Sequence, residues 1–297
     1  MESLDRFRQR LEDRFPGLTK SQQRIASYLL DNYDEAAFLP AAAIAERFGV
    51  SEATVVRFAR AVGFAGYPEL RRILQELFRQ KASPAARLRR KMDDLKGDQR
   101  HLLTKVAEME VQYLTEMLHG VRPADFDRAV EILLKARSIF VFGMGPSRML
   151  ADLAKIRLQR FGIPVRGLTS SGRDVLEELL LLQPGDAVLA AGFLRATPEL
   201  VAVLAHARSL GCRTVLLTDT LGLAFKHKAD VVLAARRGPV STFHSMTVPM
   251  TILNALILAV AVARPKQSLD SVNRLQDLRA AYGLDMLGKG GTIQALE

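Results

Sequence analysis

Apolar positions in the first eighty residues recur at intervals of three and four, as in Ile25, Tyr28 and Leu29, and no alternating stretch interrupts them. That spacing puts one apolar stripe on each of a series of helices, so residues 1–80 are expected to fold as an all-α unit. Near residue 100 the pattern changes. Helical segments at 101–118 and 124–136 give way to short, almost wholly apolar runs separated by helical stretches: SIFVF (138–142), IPVRGL (163–168), DAVLAA (186–191), RTVLLT (213–218) and DVVLA (230–234). Such alternation predicts βαβ units and a parallel sheet whose strands are covered on both faces. The expected organisation is an all-α domain over 1–80, a linker over 81–100 and an α/β domain over 101–285.

Within the first unit, AAAIAERFGVSEATVVRFARAVGF at 41–64 splits into two short helices. Ala41 to Phe48 forms the first, and Gly49 permits the positive φ of a tight turn. Val50 tucks inward, Ser51 caps the second helix, and Gly63 ends it after Val62. Val55, Phe58, Ala59 and Val62 then face the core, which turns Ser51, Glu52, Ala53, Thr54, Arg57 and Arg60 outward. Small residues and hydroxyls at a helix N-terminus, with arginines one and two turns later, suit entry into a DNA major groove. Bundles that never meet DNA also contain such helix pairs.

Charge strengthens the nucleic-acid expectation. The 297-residue chain carries 42 basic and 32 acidic residues, a formal charge of +10, and an anionic partner fits that excess. Between 71 and 91 lie Arg71, Arg72, Arg79, Lys81, Arg87, Arg89, Arg90 and Lys91 against the single acid Glu76, with Ser-Pro at 83–84. This stretch is expected to be a helix end running into a basic linker, with Arg71 and Arg72 as candidate phosphate contacts. Cys212 is the only cysteine, which excludes an intramolecular disulfide and a cysteine-based metal site. The charged start MESLDRFRQR is unlike a signal peptide. TVPMTILNALILAVAVA at 247–263 falls short of a bilayer span and predicts a core helix. A cytoplasmic protein without membrane attachment is expected.

In the α/β part, the first strand runs into GMGPSR at 143–148. Gly143 and Gly145 let backbone amides approach an anion, and Ser147 adds a hydroxyl at a helix N-terminus, where the macrodipole favours negative charge. A dinucleotide fingerprint would require a third glycine where Arg148 stands and an acid near the end of the second strand, where VRGL at 165–168 has none. No cofactor is expected. Ser170 and Ser171 follow the second strand, and GFLRAT at 192–197 follows the third, so all three loops are expected to open into one crevice.

Residues 18–71, above all GVSEATVVRFARAVGFAGYPEL, closely resemble the N-terminal domain of RpiR/MurR-type bacterial transcriptional regulators. Residues 124–265 resemble the SIS, or sugar-isomerase, domain that follows it in that family. The resemblance implies a helix-turn-helix domain reading double-stranded operator DNA as a homodimer or higher homo-oligomer. It also implies a flavodoxin-like parallel five-stranded sheet with helices on both faces. SIS domains that bind phosphosugars carry a loop resembling S-x-S-G-x-T after the third strand. Here the corresponding residues are Gly192, Phe193, Leu194, Arg195, Ala196 and Thr197, so both serines are missing and only Thr197 keeps its type.

The expected effector is therefore a small anion such as an organic acid or sugar derivative, contacted by Gly143, Gly145, Ser147, Ser170, Ser171, Gly192, Arg195 and Thr197. Arg195 supplies the charge. A SIS domain used only for dimerisation is the alternative. A sugar-phosphate isomerase would need a positioned acid and base, and Glu177, Glu178 and Glu199 make no convincing pair, so no enzyme activity is expected.

Overall fold

Thr19 and Gln22 begin the first well-capped helix of the chain. The Thr19 hydroxyl accepts from the Gln22 amide at 3.4 Å while the Gln22 side chain accepts from the Thr19 amide at 3.0 Å, satisfying two otherwise orphaned donors. In the computed structural model, residues 4–81, 84–96, 101–194, 196–219, 225, 228–234, 237–238 and 244–284 are described. The N-terminal helices are α1 (Leu4–Arg14), α2 (Lys20–Asp31), α3 (Tyr33–Ala36), α4 (Ala41–Phe48), α5 (Glu52–Ala61) and α6 (Tyr67–Lys81). Their apolar stripes close over one core in which Phe7, Leu11, Ile25, Ile44, Phe58 and Leu70 are fully buried.

Residues 37–39 lead into α4, whose N-cap, Pro40, has no side-chain cap. Side chains of α6 hold this approach instead. Tyr67 donates its hydroxyl to the Leu39 carbonyl at 2.7 Å, Gln75 donates to Ala37 at 3.1 Å, and Arg71 donates to Ala37 and Phe38 at 3.4 and 3.1 Å. Burial pushes the Tyr67 phenol above its ordinary range, against the lowering influence of Arg71. Arg71, a candidate phosphate contact, thus gives two of its guanidinium nitrogens to the backbone carbonyls that position the helix pair. Arg71→Ala should cost about 1.5–3 kcal/mol, as expected for hydrogen bonds to a charged group. Chemical denaturation measures the loss, and the salt dependence of DNA binding should stay unchanged.

The basic stretch expected as a linker is helical over Pro84–Leu95, α7. Proline suits a first helical turn, and the alanines and arginines that follow are good helix formers. Two lysines link this helix to α8 (Leu102–Gly120). The Lys105 ammonium donates to the Leu95 carbonyl at 2.6 Å, and the Lys91 ammonium lies 5.8 Å from the centre of the Tyr113 ring.

After α9 (Pro123–Lys135) come β1 (Ile139–Gly143), α10 (Arg148–Arg160), β2 (Val165–Leu168), α11 (Asp174–Leu179), β3 (Ala187–Ala191), α12 (Pro198–Ser209), β4 (Arg213–Thr218), β5 (Val231–Ala234), α13 (Thr247–Ala263) and α14 (Pro265–Ala281). The five strands are parallel in the order β2-β1-β3-β4-β5, with Ile139 level with Val165 on one side and Ala187 on the other. This is the expected flavodoxin-like arrangement. Residues of α8, α9, α10 and α13 pack on one face, and those of α11 and α12 on the other. The apolar segment 247–263 is a core helix with Val248, Leu256 and Val260 fully buried. Among the described residues no single helix is long and apolar enough to cross a membrane.

Two carboxylates secure the N-terminal ends of the strands. Asp186 takes both arms of the Arg137 guanidinium at 3.0 Å and the Gln183 amide at 2.9 Å. Asp230 accepts from Arg213 at 2.6 Å and from the Thr214 amide and hydroxyl at 2.8 and 2.9 Å. Burial alone would raise the Asp230 carboxyl, but these donors outweigh it and hold the group below its ordinary range. These two ion pairs lie at one edge of the sheet, and the opposite, C-terminal edge carries the loops after the strands.

Candidate nucleic-acid interface and ligand crevice

The turn between α4 and α5 follows from Gly49, which sits at φ +64° in the left-handed region. Its amide and that of Val50 bond back to the end of α4. Ser51 then caps α5, accepting from the Thr54 amide at 3.2 Å. Val55, Phe58, Ala59 and Val62 are fully buried, as the spacing predicts.

The outward face is a connected polar ridge. The Ser51 and Thr54 hydroxyls are 2.9 Å apart, and Arg57 donates to the Thr54 hydroxyl at 3.0 Å. Ser51, Glu52, Ala53 and Arg57 are exposed, with Thr54 half-buried between them. Arg60 is exposed too, but its Nε donates to the Ala65 carbonyl at 3.3 Å, so part of it serves the turn after α5. Arg72 is exposed and paired with Glu76 at 2.5 Å, one turn along α6. The sequence did not single out Arg24 and Arg47. Arg47 stacks over the Tyr28 ring at 4.4 Å and donates to its hydroxyl, and Arg24 lies 5.5 Å from the centre of Phe48. Arginines spaced to meet an aromatic on a neighbouring helix were the available signal.

The crevice loops do emerge together at the C-terminal edge, but their donors are largely spent. At Gly143 a Cβ would collide with the Ser147 carbonyl, so this position admits only glycine. Gly145 is exposed and in the left-handed region, and Ser147 is buried beside the start of α10. After β2, Ser170 donates its hydroxyl to Glu178 at 2.8 Å, while Ser171 is exposed. The Gly172 amide donates to Glu199 of α12 at 3.3 Å, tying the second loop to the third. After β3, the Gly192 amide is taken by the Leu217 carbonyl at 3.1 Å, and Thr197 caps α12 by accepting from Leu200. The Ser170 hydroxyl and the Gly192 amide thus each have a partner within the protein. Arg195 lies outside the described residues.

Sequence reasoning missed a charged pair in this loop cluster. Asp219 follows β4 directly and Arg237 follows β5, and Arg237 Nη2 donates to Asp219 Oδ2 at 2.8 Å with both side chains buried. Charged residues just past the C-terminal ends of strands were the signal that could have found them.

A short capped helix offering hydroxyls and an arginine, joined to a five-stranded parallel sheet covered by helices on both faces, defines a helix-turn-helix regulator with an α/β domain. Residues 6–81 match the helix-turn-helix domain of the rpiR family and residues 132–259 match the SIS domain. The chain belongs to the RpiR family of helix-turn-helix transcriptional regulators. It is 28% identical to the HTH-type transcriptional regulator HexR of Pseudomonas aeruginosa, over 93% of this chain and 97% of that one. It is 30% identical to an HTH-type transcriptional regulator of Haemophilus influenzae, over 74% of this chain and 76% of that one. Among solved structures it resembles the sugar isomerase domain of an RpiR transcription factor from Sphaerobacter thermophilus, with TM-score 0.56 and 28% identity over 60% of this chain and 99% of that one. It shares the fold of Vibrio vulnificus NanR complexed with ManNAc-6P, with TM-score 0.61 and 21% identity over 93% of this chain and 98% of that one.

Proposed function

We propose that this regulator binds an inverted-repeat operator as a homodimer, with the N-terminal end of α5 in the major groove, and that a small anionic metabolite in the SIS crevice sets its operator affinity. The observation that carries the DNA part is the Ser51–Thr54–Arg57 ridge, exposed on a helix fixed by Gly49 and by the α6 side chains. Thr54 and Arg57 contact base edges, Ser51, Glu52 and Ala53 allow close approach, and Arg60 and Arg72 reach phosphates. The domains divide at the basic helix α7. In this reading the protein acts by binding and not by catalysis, which its similarity to HTH-type transcriptional regulators over 93% of the chain supports.

For the effector, NanR supplies the precedent of a small anion carried by this fold. The crevice here has the Gly145–Ser147 turn but lacks the serine hydroxyls of a phosphosugar loop, so organic acids and sugar acids fit it better than ordinary sugar phosphates. The operator part is tested by selecting duplexes from a random pool with the purified chain. An inverted repeat with half-site centres roughly 10 bp apart, or a multiple of that, is expected from two-fold symmetry. Enrichment of a single asymmetric half-site would overturn it.

A further inference from the structure

Arg237 and Asp219 are 5% and 7% exposed, and both contact the loop after β3. The Arg237 Nε and Nη2 both donate to Asp219 Oδ2, at 3.2 and 2.8 Å, and the Leu194 amide donates to Asp219 Oδ1 at 3.0 Å. The Phe193 ring centre lies 4.1 Å from the guanidinium carbon. Leu194 is held at φ +66°, the left-handed region that non-glycine residues rarely enter. The partners of the Asp219 carboxylate thus include a guanidinium, itself also donating to the Ser245 carbonyl at 3.4 Å, and a backbone N–H, with an aromatic ring stacked on the guanidinium. Those are the groups a free oxyanion would seek in a protein.

We propose that this cradle is the anion pocket of the effector site and that Asp219 is its built-in occupant. An incoming anion takes Arg237 and the Leu194 amide from Asp219, and the strained 192–194 loop relaxes as that bond is lost. The proposal rests on the crevice being the effector site and deepens it: the charge comes from Arg237, so the missing loop serines are no bar to an anionic ligand. A tethered carboxylate competes at high effective concentration. The effector class is therefore an anion able to compete with a carboxylate for a guanidinium and a backbone N–H.

The test is Asp219→Asn in the full chain, which keeps an acceptor for Leu194 and removes the competing charge. Wild type, Asp219→Asn and Asp219→Asn/Arg237→Met are titrated with citrate and with inorganic phosphate by calorimetry, and each is melted at increasing anion concentration. Asp219→Asn should bind at least one anion on the order of tenfold or more tightly than wild type, and its Tm should climb with that anion. The double variant should show neither effect. A response to citrate alone identifies carboxylate chemistry, and a response to phosphate alone identifies phosphoryl chemistry. Equal behaviour of wild type and Asp219→Asn, including no binding by either, overturns the proposal. If Asp219→Asn fails to fold by itself, its refolding yield is compared with and without anion, and a yield that no anion improves also overturns it. Operator binding measured alongside separates the two ideas. Anion-driven release from wild type without a gain in Asp219→Asn leaves sensing intact and removes the cradle; a gain without any effect on DNA keeps the cradle and removes sensing.

Discussion

Replacing Phe58 with alanine should destabilise the N-terminal unit by about 3–5 kcal/mol, the usual cost of emptying a fully buried aromatic site. Phe58 is 0% exposed and sits on the inner side of α5 between Val55 and Val62. A loss of that size is comparable to the whole stability of many small domains, so operator binding should fail even though Phe58 touches no DNA. The buried core of the helical unit shares no buried residue with the cores on the two faces of the sheet. Hydrogen exchange should therefore show lost protection in α4 and α5 with the amides of β1, β3 and β4 still protected. Uniform loss across both parts, or full protection of α5, would contradict the packing described.

Arg237→Met is the second substitution with a large expected effect. It removes the guanidinium from a carboxylate that is itself buried, and breaking one side of a buried pair costs about 3–5 kcal/mol because the remaining charge is left uncompensated. Adding Asp219→Asn should restore a substantial part of the loss, since the amide carries no charge and can still accept from Leu194. Chemical denaturation of the two single variants and the double variant gives the coupling directly. Additive losses would mean that the two residues do not act as a pair.

The strands and the helix pair were legible because each depends on local pattern. Runs such as AVLAA carry no polar residue to face solvent, and Gly49 followed by Ser51 gives both the turn and the cap. The roles of the polar groups in the crevice were not legible, because they depend on which partner reaches them across the fold. Ser170 meets Glu178 eight residues away, Gly192 meets Leu217 on the next strand, and Arg71 meets carbonyls more than thirty residues earlier. Arg71 and Arg72 are neighbours with the same side chain, yet one is turned toward the core and the other toward solvent by the helical step between them. That the basic linker is helical over Pro84–Leu95 was not legible from its charge, although its alanines, leucines and arginines are good helix formers.

The central claim is that the outer face of α5 reads base edges while the basic residues around it contact phosphates. The most direct measurement compares Arg57→Ala and Arg72→Ala in binding to a selected operator and to random duplex, each across a range of salt concentrations. Arg57→Ala should lose about 1–3 kcal/mol on the operator and little on random DNA, whereas Arg72→Ala should weaken both and lower the salt slope by about one. An Arg57→Ala chain that binds the operator as tightly as wild type, or that loses equally on both duplexes, would contradict the account.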